Sequence, residues 1–387
     1  MLEGEEGPAA AKSMELLVAL GEVFDADRLV PVESAHISGV SYKNLGDAGL
    51  DFLEEQAGLG ARARVRATLN PAGMDLHLWR EMGVPEAFAG RQLRVVRAFE
   101  GMGVEPTCTC TPYLVGHVPR PGGQVAWAES SAVAFSNSVL GARTNRESGP
   151  TSLASAVTGR AALYGYRLEE NRLPAKVIEV EAEMRTRLDY SALGYLTGRL
   201  LGTTVPYFRG IENPDLESLK ALGAACATSG GIALYHIEGV TPEAARMPPE
   251  ALKGLETIGI EEAALSEAAS ALGRDVGDPV TCLGCPHCSL EELRELAGLL
   301  RGRALRRRLW AFTSRGVHGE AAERGYVDAI EEAGGRVFRD TCMVVAPLRE
   351  MGWREAATNS FKCAQYLSDM RIAVRLGTAA ELVEAAA

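Results

Sequence analysis

Thr281-Cys-Leu-Gly-Cys-Pro-His-Cys-Ser289 is the stretch on which the reading of this chain turns. A short extended run, Asp278 to Thr281, leads into it, and a helical pattern, Glu291 to Leu300, leads out. Ser289 and Glu292 have the spacing of a capping box, in which each side chain satisfies a free backbone N–H at the start of a helix. Strand, polar turn and helix in that order make the repeating unit of an open α/β sheet, which binds ligands beyond the carboxyl ends of its strands. Two overlapping Cys-x-x-Cys spacings, Cys282 to Cys285 and Cys285 to Cys288, fill this turn. A thiolate near a helix N-terminus is favoured by the positive end of the helix dipole, so the segment is suited to metal.

Three rival readings of the segment stay open on spacing alone. A zinc knuckle could use it with His287, and Cys282 or Cys288 could be small buried residues. A thioredoxin-type motif belongs near the first strand of a much smaller domain. A bacterial ferredoxin run needs a fourth cysteine followed by proline, which is missing, so electron transfer is disfavoured.

The same alternation extends outward. Strands are expected at Arg62 to Leu69, Lys176 to Glu181, Gly231 to Ile237, Arg308 to Thr313 and Arg336 to Arg339. Helices are expected at Asp47 to Gln56, Pro85 to Glu100, Asp215 to Cys226 and Glu261 to Leu272. The fold class is therefore α/β with mostly parallel sheets flanked by helices. Two more cysteine sites fall at strand ends: Cys108 and Cys110 follow the extended Glu105 to Thr107, and Cys342 follows Arg336 to Arg339. Cys226 and Cys363 read as inert buried thiols.

Eight cysteines in 387 residues are too sparse for a disulfide scaffold, and their clustering points to metal in a reducing compartment. The mean hydropathy of -0.02 and 47% hydrophobic content suit a chain that buries one large core or two to three smaller ones. Forty Lys+Arg against 51 Asp+Glu leave a net charge of -11, which repels nucleic acid and anionic membranes. No apolar run approaches the roughly 20 residues that span a bilayer, and the N-terminus is acidic, so the expected location is cytoplasmic. Nucleotide-binding, metalloprotease and α/β-hydrolase motifs are absent from their proper contexts.

Three polar clusters interrupt apolar surroundings: Ser34 to Lys43, Asn70 to Asp75, and Glu129 to Arg146. Such groups need partners, which capping within the protein can equally supply. In the third cluster Arg143 and Arg146 beside Asn137, Ser138 and Asn145 offer forked donors suited to carboxylate or phosphate. His36, flanked by Ser34 and Ser38 and followed by Lys43, is a candidate acid-base group; a core histidine bonded to backbone is the alternative.

Taken together these segments resemble the large-subunit region of the aconitase X family. The resemblance rests on Ala35-His-Ile-Ser-Gly-Val-Ser-Tyr-Lys-Asn44, Asn70-Pro-Ala-Gly-Met-Asp75, Cys110-Thr-Pro-Tyr113 and Asn137-Ser-Val-Leu-Gly-Ala-Arg-Thr-Asn-Arg-Glu147. It continues through Leu283-Gly-Cys-Pro-His287, Asp340-Thr-Cys342 and Thr358-Asn-Ser360, so it spans nearly the whole chain in order.

The resemblance implies an aconitase-like, multi-lobed α/β fold, with 1–387 as one catalytic region of two or three lobes whose boundaries the sequence does not resolve. It implies a hydro-lyase that dehydrates a hydroxy acid, using an iron-sulfur cluster as Lewis acid. The ligands it implies are Cys110, Cys285 and Cys342; three thiolates on a [4Fe-4S] cluster leave one iron open for substrate. His36 and Lys43 are then the catalytic candidates, with Ser38, Asn70, Asn137, Ser138, Arg143, Asn145 and Arg146 as substrate-binding candidates. Family members also have a small swivel-like domain that bears a serine acting as base. Little sequence follows Thr358-Asn-Ser360 here, so that domain is expected on a separate small subunit. Of the two family substrates, mevalonate 5-phosphate is favoured over cis-3-hydroxyproline by the separate-chain architecture and the extra cysteines near Leu283. A non-catalytic metal-binding interaction protein is the alternative from another class.

Overall fold

Fourteen strands form three parallel sheets and one antiparallel ribbon in the computed structural model, which describes residues 1–387. In the first lobe β1 (Leu29–Pro31), β2 (Ser34–Ile37), β3 (Arg66–Leu69), β4 (Ala126–Trp127) and β5 (Arg160–Ala162) occur in that order. Here β1 and β5 make the ribbon, and the sheet order is β3-β2-β4. The second lobe holds β6 (Lys176–Val180), β7 (Pro206–Arg209), β8 (His236–Ile237) and β9 (Glu256–Ile260), in the order β8-β7-β6-β9. The third holds β10 (Val280–Cys288), β11 (Leu309–Thr313), β12 (Arg336–Arg339), β13 (Glu355–Thr358) and β14 (Ala373–Leu376), in the order β12-β11-β10-β13-β14.

Each parallel sheet starts near its middle, grows to one side and then returns to the other. The direction reverses between β2 and β4, between β6 and β9, and between β10 and β13. Crossover helices diverge at such a point and leave a crevice at the strands' carboxyl ends. The first and third crevices carry the candidate site.

The lobes share buried packing. One apolar cluster runs from Trp127 and Phe135 through Ile178 and Phe208 to Phe312 and Trp353. In the second lobe, helices Arg187–Leu201 and Leu216–Ser229 approach so closely that a Cβ on Gly194 would lie 2.3 Å from Leu222 O. Only glycine allows that approach.

Two expectations need correction. Cys282 to Cys288 do not form a turn: β10 continues to Cys288, paired with β11 through a register shift between Leu283 and Cys288. Gly231 to Ile237 is strand only at His236–Ile237. Side chains occupy the backbone before it, with Asn137 Nδ2 donating to Ala233 O and Tyr235 N donating to Ser138 Oγ, each at 2.9 Å.

Candidate active site

Cys110, Cys285 and Cys342 line one cavity of about 380 Å3, together with Asn70, Glu129 and Lys362. Two arrive just beyond strands and one from within a strand. Cys110 follows Thr109, whose N–H donates to Leu69 O at the end of β3. Cys285 sits in the irregular part of β10, and Cys342 follows β12 beside an isolated bridge between Ala72 and Thr341. Each is also approached through left-handed backbone: Cys108 at φ 42°, Gly284 at φ 102° and Asp340 at φ 67°. Non-glycine residues hold such angles only where their surroundings impose them, which is common at functional sites.

All eight cysteines are buried and free. Burial pushes the Cys110 thiol well up and that of Cys342 to about 12, and in each case another thiol of the set raises it further. For Cys285 the hydrogen-bonding Cys363 thiol is the largest cause, followed by burial. Converging thiols that discourage each other's ionisation favour a cation among them, since metal binding deprotonates thiols. No three His, Cys, Asp or Glu side chains are placed to hold a single ion. Three buried thiols lining one polar cavity are the donor type that holds iron-sulfur clusters, so the donor set fits such a group.

The same cavity is lined by a buried ion pair. Glu129 directly follows Ala128 beyond β4 and caps the helix Ser130–Ser138, while Lys362 lies in the first turn of the helix Phe361–Asp369 after β13. Lys362 Nζ donates to Glu129 Oε1 at 2.6 Å and to Ser131 Oγ at 3.1 Å; Asn70 Nδ2 donates to Glu129 Oε2 at 2.7 Å. Burial alone would raise Glu129, but Lys362, Asn70 and Ser131 hold it down at about 2. Burial also opposes the Lys362 charge, yet Glu129 and the Cys285 and Cys110 thiols raise it above the usual lysine range.

The residues singled out from sequence divide into two groups. Ser38 and Asn70 line the cavity. Lys43 stands beside it, donating to Val344 O at 3.2 Å and Ala346 O at 3.1 Å, so it pins the loop after Cys342. His36 is fully buried and does not line the cavity; Nδ1 lies 2.8 Å from Thr68 Oγ1, which lies 2.8 Å from His117 Nδ1. Burial lowers His36 to about 4, against the pull of Glu129, leaving it neutral at pH 7.

The polar cluster of Asn137 to Arg146 lies elsewhere and is occupied by the protein's own groups. Arg143 pairs with Glu169, Arg146 donates to Gly231 O at 2.9 Å, and Asn145 bonds Tyr164 O and Tyr166 N. Asn137 and Ser138 hold the loop before β8 as described above. Asn137, Ser138 and Arg146 join the first lobe to the second, Arg143 and Asn145 bond within the first, and none of the five lines the thiol cavity.

Glu129, which opens the third polar cluster, and Lys362 are charged cavity residues that were not among the site candidates drawn from sequence. A signal existed for both: each is a lone charge at the end of an apolar strand, before or just inside a helix with apolar turns. Pairing them across 233 positions needs the fold.

These features define a multi-lobed α/β protein with a thiol-lined polar site at the switch points of two parallel sheets. The chain belongs to the aconitase X family: its residues 1–170, 174–270 and 279–387 match the first, second and third aconitase X domains. It is 50% identical to the phosphomevalonate dehydratase large subunit of Methanothermobacter thermautotrophicus, over 96% of this chain and 92% of that one. It is 38% identical to the cis-3-hydroxy-L-proline dehydratase of Pseudomonas aeruginosa, over 95% of this chain and 65% of that one. The crystal structure of Thermococcus kodakaraensis aconitase X in its holo-form superposes with a TM-score of 0.94 at 44% identity, covering 100% of this chain and 97% of the other.

Proposed function

We propose that this chain is the large subunit of a hydro-lyase that dehydrates mevalonate 5-phosphate, acting with a small partner subunit and a [4Fe-4S] cluster on Cys110, Cys285 and Cys342. The observation that carries this reading is the convergence of those three buried thiols on one polar cavity in a chain 50% identical to a phosphomevalonate dehydratase large subunit. The lower identity to the cis-3-hydroxy-L-proline dehydratase favours the phosphorylated substrate.

When bound, the cluster supplies an open iron that polarises the departing hydroxyl. The residues of this chain do the rest of the local work. Lys362, held charged by Glu129, meets the substrate carboxylate, and Asn70 and Ser38 offer hydrogen bonds along the same wall. Lys43 fixes the loop after Cys342, which supplies Val344 and Val345 to the cavity lining. A base takes a proton from the carbon beside the carboxylate, the freed electron pair forms the carbon–carbon double bond, and the hydroxide lost from the next carbon takes up a proton, so that one water leaves in all.

Charge supports the presence of a partner. Mevalonate 5-phosphate carries about three negative charges, whereas Lys362 is the single cation lining the cavity and Glu129 neutralises it. The phosphate-binding cations, like the base implied by the family resemblance, come with the small subunit that closes the site.

The test is an assay of the anaerobically reconstituted complex on mevalonate 5-phosphate and on cis-3-hydroxy-L-proline. Turnover of the first is expected, and only with the small subunit present. Turnover of hydroxyproline alone overturns the substrate assignment, and robust turnover by the isolated large chain places the base here. A colourless zinc protein would instead support a metal-stabilised interaction module.

A further inference from the structure

His287 reaches all three cysteine segments at once. Its backbone N–H donates to Cys110 Sγ at 3.2 Å. Its ring Nε2 lies 2.8 Å from the carbonyl oxygen of Thr341, the residue before Cys342. Its Nδ1 lies 3.0 Å from the hydroxyl of Thr109, the residue before Cys110. It stands two residues after Cys285, and its own carbonyl accepts from Lys220 Nζ at 2.9 Å. The residue is fully buried.

The donors and acceptors admit one assignment for the neutral ring. A carbonyl only accepts, so Nε2 carries the proton and Nδ1 is the acceptor. The Thr109 hydroxyl therefore donates to the ring. Its oxygen receives the Thr111 N–H at 3.2 Å and faces the Thr111 hydroxyl at 3.1 Å. Both ring nitrogens are thus committed to protein partners, which excludes His287 as a metal ligand in this arrangement. An imidazole suits the place because it is a rigid plate with a donor and an acceptor on different edges.

We infer that His287 is the positioning residue of the three-cysteine centre, setting the Cys110 and Cys342 segments in register with the Cys285 segment. The inference rests on the assignment of the cluster to those cysteines. It extends that reading to how segments 54 and 178 positions away from His287 are kept in place. Residues that orient metal ligands typically change metal affinity by roughly 10–100-fold when removed.

The experiment compares wild-type chain with His287→Ala, His287→Gln and Thr109→Val after anaerobic reconstitution. Iron and acid-labile sulfide per chain, visible circular dichroism and the rate of absorbance loss to an iron chelator are measured, with the melting point of each apo-protein. His287→Ala is expected to lose iron roughly 10–100-fold faster than wild type. His287→Gln, which can still donate to Thr341 O, should fall between them. Thr109→Val removes one hydroxyl and should accelerate loss several-fold with an altered visible dichroism and an apo melting point close to wild type. Should His287→Ala fail to fold, Thr109→Val decides. Variants that release iron at the wild-type rate with an unchanged spectrum overturn the inference. A wild-type chain that takes up no iron and sulfide overturns the three-cysteine centre itself, a separate failure.

Discussion

Lys362 Nζ and Glu129 Oε1 stand 2.6 Å apart across 233 residues of sequence, joining the end of β13 in the third lobe to the end of β4 in the first. Their side chains are 6% and 13% exposed, so neither charge can rely on water if the other is removed. Breaking such a pair from one side costs about 3 to 5 kcal/mol, because an uncompensated charge stays buried. Lys362→Met and Glu129→Gln should each lower unfolding free energy by an amount of that order, measured by denaturant titration. Lys362→Met should also reduce kcat/KM of the complex more than tenfold if the ammonium meets the substrate carboxylate. Unchanged kinetics in a folded variant would remove Lys362 from the substrate.

The same pair sets a pH dependence. Glu129 titrates near 4.5 in an unfolded chain and near 2 in the folded one. A carboxylate with a depressed folded pKa contributes stability above its unfolded value and loses it as pH falls through the interval. The stability advantage of wild type over Glu129→Gln should therefore be full near neutral pH and shrink steadily from about pH 4.5 toward 2. Comparing the two proteins cancels groups that titrate alike in both. A difference that stayed constant through that interval would show that the carboxylate's charge is not what the variant removes.

The cysteine set can be read one thiol at a time. Cys110→Ser, Cys285→Ser and Cys342→Ser should each abolish the visible absorbance that appears on anaerobic reconstitution, since all three line the cavity. Cys226→Ser should retain it, because that thiol is fully buried and does not line the cavity. Loss of absorbance in Cys282→Ser or Cys288→Ser would point instead to a local centre within β10.

Much of the fold was legible because strand and helix periods are local. The strand expected at Arg336 to Arg339 is found there, and the helix expected at Glu291 to Leu300 begins one residue earlier. The capping box of Ser289 and Glu292 is present with both of its hydrogen bonds. Cys110 and Cys342 were visible as cysteines after extended runs, whereas Cys285, expected in a turn, lies within β10. What stayed hidden depends on partners far apart in the chain. Arg143 looks available in sequence, and only the fold supplies Glu169 as its partner. His36 looks like an acid-base group until the fold surrounds its place in β2 with Thr68, His117 and Trp127. Sequence cannot reveal such pairings, because polar residues in an apolar run look alike whether they face a ligand or each other.

Gly284, the residue before Cys285, offers a test of how tightly the site's backbone is held. Its φ of 102° lies where side chains are strained, and a Cβ there would stand 2.2 Å from Phe312 O and 3.0 Å from Phe312 N. Those atoms belong to the neighbouring strand β11, so rotation of a flexible group cannot relieve the clash. Gly284→Ala must either push β11 away or rotate the backbone that carries Cys285. Gly298 provides the contrast: it lies in the helix Leu290–Leu300, where an added methyl group would meet nothing within 4 Å, and alanine there gains about 0.5 to 1 kcal/mol of helix preference. Gly284→Ala should therefore lower the apo melting point and the iron bound per chain, while Gly298→Ala should hold or raise the first and leave the second unchanged. Equal iron content and melting point in Gly284→Ala and wild type would mean that the approach of β10 to β11 is looser than this geometry requires.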